Sequence, residues 1–158
     1  MLSVNDFDSL ISTANKSLLH RAPASITYTN TDDLSQNATI NEHVIAQEVG
    51  DDANIYAIWS RASSSDKWKI MYIGQRSKGN VIERIKQHLF KTPNGTQSKL
   101  AEVTALVALS HNIGISTILV SPDPLRLSVE DQLIFINTNN GSDLPWNSKS
   151  RNVSVSRT

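Results

Sequence analysis

The spacing of apolar side chains changes character at residue 54. Before it, residues 1–22 carry Val4, Phe7, Leu10, Ile11, Leu18 and Leu19 at helix-compatible intervals, with Ser3 or Asn5 available as N-cap. Residues 23–53 are rich in Thr, Asn and Asp with few apolar anchors. They read as mostly loop, with a short strand near 25–28 and a helical turn near 43–47. From Asn54 the pattern sharpens. Residues 54–60 and 68–74 predict two strands, hairpin-paired across Ser63-Ser64-Ser65-Asp66. Residues 80–90 predict a helix, because Val81, Ile85 and Leu89 recur every fourth position and Ile82 widens the stripe. After the turn signal Thr92-Pro93-Asn94-Gly95, residues 98–112 predict a second helix through Leu100, Val103, Leu106 and Val107, with Gly114 as its stop. The β-branched run 115–121 predicts a third strand, closed by Pro122 and Pro124. A capping-box pattern, Ser128-Val129-Glu130-Asp131, opens a third helix over 128–137. The order ββααβα predicts an α+β fold: a small three-stranded antiparallel-type sheet flanked by helices over residues 54–158, preceded by an N-terminal extension, residues 1–53.

Composition narrows the chemistry. A chain of 158 residues suits one domain with a real core. The absence of cysteine excludes disulfides, thiolate metal sites and Cys nucleophiles. No apolar stretch approaches the roughly 20 residues that span a bilayer. Residues 1–19 lack the basic n-region and apolar run of a secretory signal, so a cytoplasmic protein is expected. The formal net charge of zero divides unevenly. Residues 1–54 hold eight acids and two bases, net −6, and residues 55–158 hold seven acids and thirteen bases, net +6. A basic module joined to an acidic segment fits a nucleic-acid partner.

The candidate chemistry lies in the basic part. Tyr56 and Ile58 point to one face of the first strand of the hairpin, and Tyr72 and Ile70 to one face of the second. A paired hairpin can therefore place both phenols on one side. Arg84 and His88, four apart, share a helix face that flanks the Val81–Ile85–Leu89 stripe. Two phenols, a guanidinium and an imidazole suit attack on a phosphodiester, which needs an activated water, charge relief on phosphoryl oxygens and help for the leaving oxygen. A phenol has a pKa of about 10, so a phenolate base at pH 7 must be favoured by about 4 kcal/mol.

These residues, in this order, resemble the GIY-YIG nuclease family over roughly residues 54–151. Asn54-Ile55-Tyr56 matches the first family strand with Asn in place of the usual Gly, and Tyr72-Ile73-Gly74 matches the second unchanged. Arg84 matches the helix arginine, His88 gives the Arg-x-x-x-His form, and Glu130 falls near the start of the last core helix, where the family places a metal-binding glutamate. Asn147, in Pro145-Trp146-Asn147, matches the terminal asparagine, with Asn137 and Asn139 as rivals. The resemblance implies that Tyr56 deprotonates the water and passes its proton to His88, and that Arg84 holds the scissile phosphate. It also implies that Glu130 anchors one divalent cation, Mg²⁺, for which Mn²⁺ can substitute. Arg76, Lys78, Lys86, Lys149 and Arg151 form an expected phosphate track, with Lys91 and Arg157 in the same basic part. The partner implied is double-stranded DNA and the activity an endonuclease, most similar to type II restriction enzymes, with a homodimer and a cognate methyltransferase in prospect. The competing readings are a DNase toxin paired with an immunity protein and a DNA-binding module without catalysis.

Overall fold

The computed structural model describes residues 4–93, 97–139 and 144–147. In chain order these form helix α1 (Val4–Leu19), strand β1 (Ala24–Ile26), helix α2 (Glu42–Val49), strands β2 (Ile55–Arg61) and β3 (Lys69–Gln75), helices α3 (Val81–Leu89) and α4 (Leu100–Ala108), strand β4 (Asn112–Ile118) and helix α5 (Leu125–Asn139). The sheet runs β1-β4-β2-β3 and every pairing is antiparallel. Helices cover both faces. Tyr56 and Ile58 of β2 pack with Ile45 and Val49 of α2, Ile85 and Leu89 of α3, and Val103 and Val107 of α4. On the other face, Ile55, Ala57 and Trp59 pack with Ile11, Ala14 and Leu18 of α1 and with Val129, Leu133 and Ile134 of α5. Burial on both sides is why β2 reads as an apolar run and not as a polar–apolar alternation.

The α+β class is as expected, but the sheet has four strands where the sequence predicts three. The extra strand, β1, pairs Ala24, Ser25 and Ile26 with Ile115, Gly114 and Ile113. It is the short strand read near 25–28, found at Ala24–Ile26; what the sequence does not show is that it joins the sheet beside β4. The polar segment around β1 is held by buried amides. Asn41 Oδ1 accepts from Thr27 N–H at 2.8 Å, and Asn41 Nδ2 donates to the Thr27 and Asn37 carbonyls, both at 2.8 Å. These bonds satisfy backbone groups that apolar anchors would otherwise have to exclude from water.

Several boundaries differ from the sequence reading. Helix α4 stops at Ala108, and Ser110 takes a left-handed φ of 65°, so Gly114 is not the helix stop. It lies instead within β4, where a Cβ would come 3.0 Å from Pro23 and 3.1 Å from the Trp68 ring. β4 therefore begins at Asn112 and not at 115. Helix α5 begins at Leu125, which puts Ser128 inside it and removes the capping box from the helix N-terminus. No described helix is long and apolar enough to cross a membrane.

Candidate active site

The β2–β3 hairpin sets the two phenols through a bulge. Tyr56 pairs with Gly74 and Ile58 with Tyr72, but Trp59 then pairs with Ile70, leaving Met71 unmatched. Residues two apart on a regular strand share a face. The bulge breaks that rule here: Ile70 packs with Trp59 on the α1/α5 side, whereas Tyr72 packs on the α3 side with Tyr56. The expected common face for Ile70 and Tyr72 is thus corrected, and the expected common side for the two tyrosines is found, with ring centroids 6.2 Å apart. Gly74 makes this possible. A Cβ there would lie 2.5 Å from Tyr56 Cζ and Oη and 2.8 Å from Tyr72 Cε1.

Helix α3 brings Arg84 and His88 to the same place. Both sit deeper than residues flanking a core stripe would, at 8% and 0% exposed. The His88 ring lies 5.6 Å from Tyr56 and 5.3 Å from Tyr72, centroid to centroid. His88 Nε2 is 2.8 Å from Tyr56 Oη, and His88 Nδ1 accepts the backbone N–H of Lys99 at 2.9 Å. A backbone N–H can only donate, so Nδ1 carries a lone pair and the neutral ring carries its hydrogen on Nε2. His88 therefore donates to the Tyr56 oxygen. It is not placed to receive the Tyr56 proton, contrary to the relay that the family resemblance implies. Burial, helped by the charges of Arg84, Lys99 and Arg76, lowers the imidazole to about 3, so it is neutral at pH 7. Burial also pushes the Tyr56 phenol well above its ordinary value of 10.0, with Tyr72 adding to the rise and Arg84 and Arg76 opposing it. Tyr72 is raised as well, by burial first and by the Glu130 carboxylate second.

Arg84 has its guanidinium at a cleft of about 250 Å³ lined also by Arg76, Asn80, Glu83 and Gln87. Its Nη1 donates to Gln87 Oε1 at 2.9 Å, and its Nη2 donates to the Gln97 carbonyl. Its Nε is buried and has no hydrogen-bond partner among the described residues. A buried donor left unsatisfied costs about 1–3 kcal/mol, so the site is one that an acceptor would stabilise.

Glu130 lies on α5, beyond its first turn, close enough to Tyr72 and Arg76 for their charges to interact. Burial, with the neighbouring Asp131, raises its carboxyl to about 7, while Arg76 acts the other way. Among the described residues no cluster of three His, Asp or Glu side chains forms a complete metal cage. A half-buried carboxylate with a raised pKa still fits a hard cation such as Mg²⁺. That ion uses one or two carboxylates and takes its remaining oxygens from water and phosphate.

Asn147 and Asn137 serve the fold. Asn147 Oδ1 accepts from the Ile73 N–H at 2.9 Å and its Nδ2 donates to the Ile73 carbonyl at 3.0 Å, so the amide pairs the free edge of β3 beside Tyr72. Asn137 binds Asn15 Oδ1 and the Leu133 carbonyl, tying α5 to α1 away from the phenols. Asn54, where the family has Gly, is fully buried. It grips Val120 through both amide atoms and reaches Asp123 Oδ1 at 3.1 Å. Of the expected phosphate track, Arg76 lines the cleft. Lys78 is exposed and its Nζ lies 3.6 Å from Asp52 Oδ2, while Lys86 is half-buried on α3 and does not line the cleft. Lys149 and Arg151 lie outside the described residues.

The sequence reading missed Gln97 and Lys99. They act through a backbone carbonyl and a backbone N–H, which leave no side-chain signature; the nearest cue is the turn at Thr92-Pro93 that brings the chain back over α3. The Lys99 ammonium also stands 5.5 Å from the centre of the Tyr72 ring. No protein-family model, curated protein or solved structure matches the chain.

Proposed function

We propose that this protein is a divalent-metal-dependent endonuclease of the GIY-YIG kind that hydrolyses phosphodiester bonds of double-stranded DNA, acting as a restriction enzyme. The observation that carries the reading is the convergence of the buried Tyr56, Tyr72 and His88 rings next to Arg84, which itself lines a cleft with Arg76. The Tyr56–His88 bond there is 2.8 Å, and a buried guanidinium nitrogen lacks a partner among the described residues. Supporting the reading, the elements from β2 onward run ββααβα, the order read from the sequence, with β1 added at the far edge of the sheet.

Each residue has a part. Arg84 binds two oxygens of the scissile phosphate with its planar fork, replacing its contact to the Gln97 carbonyl. Tyr56, as phenolate, takes a proton from the attacking water. The new P–O bond forms as the bond to the leaving sugar oxygen breaks, and that oxygen takes a proton from solvent. His88, donating from Nε2 to the Tyr56 oxygen, and the Arg84 charge oppose the burial that disfavours the phenolate. Glu130 would hold Mg²⁺, with Mn²⁺ as substitute, and the bound cation would relieve charge on the phosphate and the leaving oxygen. Asn147 is a positioning residue that fixes Tyr72 through Ile73.

The test is cleavage of duplex DNA by purified variants. Tyr56→Phe and Glu130→Ala are expected to abolish cutting while largely sparing DNA binding; full activity in either refutes the role given to that residue. Discrete fragments from the wild type support a restriction enzyme, whereas a smear to small products supports a toxin-like DNase.

A further inference from the structure

A cleft of about 250 Å³ is lined by Arg76 and Arg84, with Asn80, Gln87 and the exposed Glu83. Among the described residues neither arginine forms an ion pair, although Glu83 shares the cleft and Glu130 is within electrostatic range of Arg76. Arg84 binds the Gln87 amide and the Gln97 carbonyl, and Arg76 Nη1 donates to the Gln75 carbonyl at 3.3 Å. Two like charges on one cleft repel each other, Glu83 and Glu130 offset that only from a distance, and a shared anion between the guanidiniums removes the cost.

The backbone that carries Arg76 is held in place from several sides. Its backbone N–H donates to the Asn54 carbonyl at 3.1 Å. The preceding Gln75 accepts from Arg126 Nε at 2.8 Å, and the loop beyond is fixed by Lys78 N–H to Asp123 Oδ1 at 2.9 Å and Gly79 N–H to Asp52 Oδ1 at 3.2 Å. The Arg76 charge reaches Tyr56, Tyr72, His88 and Glu130, as the smallest of the influences on each, so it lies within electrostatic range of the site.

Resting on the endonuclease reading above, we propose that Arg76 is a second catalytic guanidinium that joins Arg84 on the scissile phosphoryl group. A phosphodiester carries one negative charge, which one arginine matches. When the water oxygen bonds to phosphorus and its proton leaves to the base, a second negative charge develops on the phosphoryl oxygens. It passes to the leaving sugar oxygen as that bond breaks, and solvent protonates that oxygen. A preorganised second guanidinium acts on that added charge, so its effect falls on the rate more than on binding. Lys78 does not share this role, because its ammonium is directed to Asp52.

Arg76→Met and Arg76→Lys would be compared with wild type in single-turnover cleavage of a supercoiled plasmid with Mg²⁺ and in binding to a duplex oligonucleotide with Ca²⁺. Melting curves would confirm that each variant is folded. Arg76→Met is expected to cut about 100-fold more slowly at saturation with affinity changed less than about threefold. Arg76→Lys should recover part of the rate, because a point charge lacks the planar fork. An unchanged saturating rate, with or without weaker binding, overturns the proposal. Should the wild type cut nothing, the endonuclease reading falls, and titration with inorganic phosphate judges the clamp by itself. Binding that Arg76→Met and Arg84→Met each weaken at least tenfold supports it. Absent binding, or binding indifferent to Arg76→Met, overturns it.

Discussion

Acid should destabilise the protein through His88, and the effect can be isolated from its neighbour Glu130. The imidazole has an ordinary pKa of 6.5 and is held near 3 in the fold, chiefly by burial. Between those values the unfolded chain binds a proton that the native state refuses, so stability rises with pH across the window and is lost as pH falls from 6.5 towards 3. At 1.36 kcal/mol per unit, the loss is about 3 kcal/mol by pH 4.5 and up to about 5 kcal/mol at pH 3. Glu130 works in the opposite sense. Its carboxyl is raised from 4.5 to about 7, so the native state takes up a proton first and gains stability as pH falls from 7 to 4.5. That gain is at most about 3 kcal/mol, and less because the side chain is partly exposed. The Glu130 gain offsets part of the His88 loss above pH 4.5, and below it the His88 loss grows without that offset. Urea unfolding of wild type and His88→Gln from pH 7 to 4, in chelator, separates them. Gln keeps a donor for Tyr56 and an acceptor for the Lys99 N–H but does not titrate. The stability of wild type relative to His88→Gln should fall by about 3 kcal/mol between pH 7 and 4.5. A difference that stays constant with pH would refute the assignment of a neutral His88 with a lone pair on Nδ1.

Further outcomes follow from the same geometry. Asn147→Ala strips both partners from the Ile73 backbone, and a loss of about 1–3 kcal/mol in stability is expected by denaturant titration; an unchanged midpoint would show that the amide does not hold the β3 edge. Gly74→Ala places a methyl 2.5 Å from the Tyr56 hydroxyl, so it should cost about 1–3 kcal/mol and slow cleavage by shifting both phenols. Wild-type stability and rate in this variant would contradict that packing. With the Tyr56 phenol pushed above 10.0, the phenolate fraction grows about tenfold per pH unit, and saturating cleavage rates should grow in step from pH 7 to 9. A flat profile would exclude Tyr56 as the base.

Much of the site was legible because it obeys short periods. Arg84 and His88 are one helical turn apart on an amphipathic stripe, and Tyr56 and Tyr72 sit in apolar runs that only a hairpin explains. What was hidden depends on contacts distant in sequence. The bulge at Met71 separates Ile70 from Tyr72, and nothing within Lys69–Gln75 marks it. The Asn54 amide works because Val120 and Asp123 arrive from beyond β4. Asn147 was readable as a motif position, but its bond to an edge strand required the fold. α5 starts before its Ser128 signal because its opening turn is made by Pro122, Asp123 and Pro124, whose carbonyls accept from the N–H groups of Leu125, Arg126 and Leu127.

The most direct test of the central claim is conversion of a supercoiled plasmid by wild-type protein with and without Mg²⁺. The site assembled by Tyr56, Arg84, His88 and Glu130 predicts nicked and linear products with Mg²⁺ or Mn²⁺ and none once the cation is chelated. Protein that binds the plasmid yet leaves it intact with either cation would contradict it.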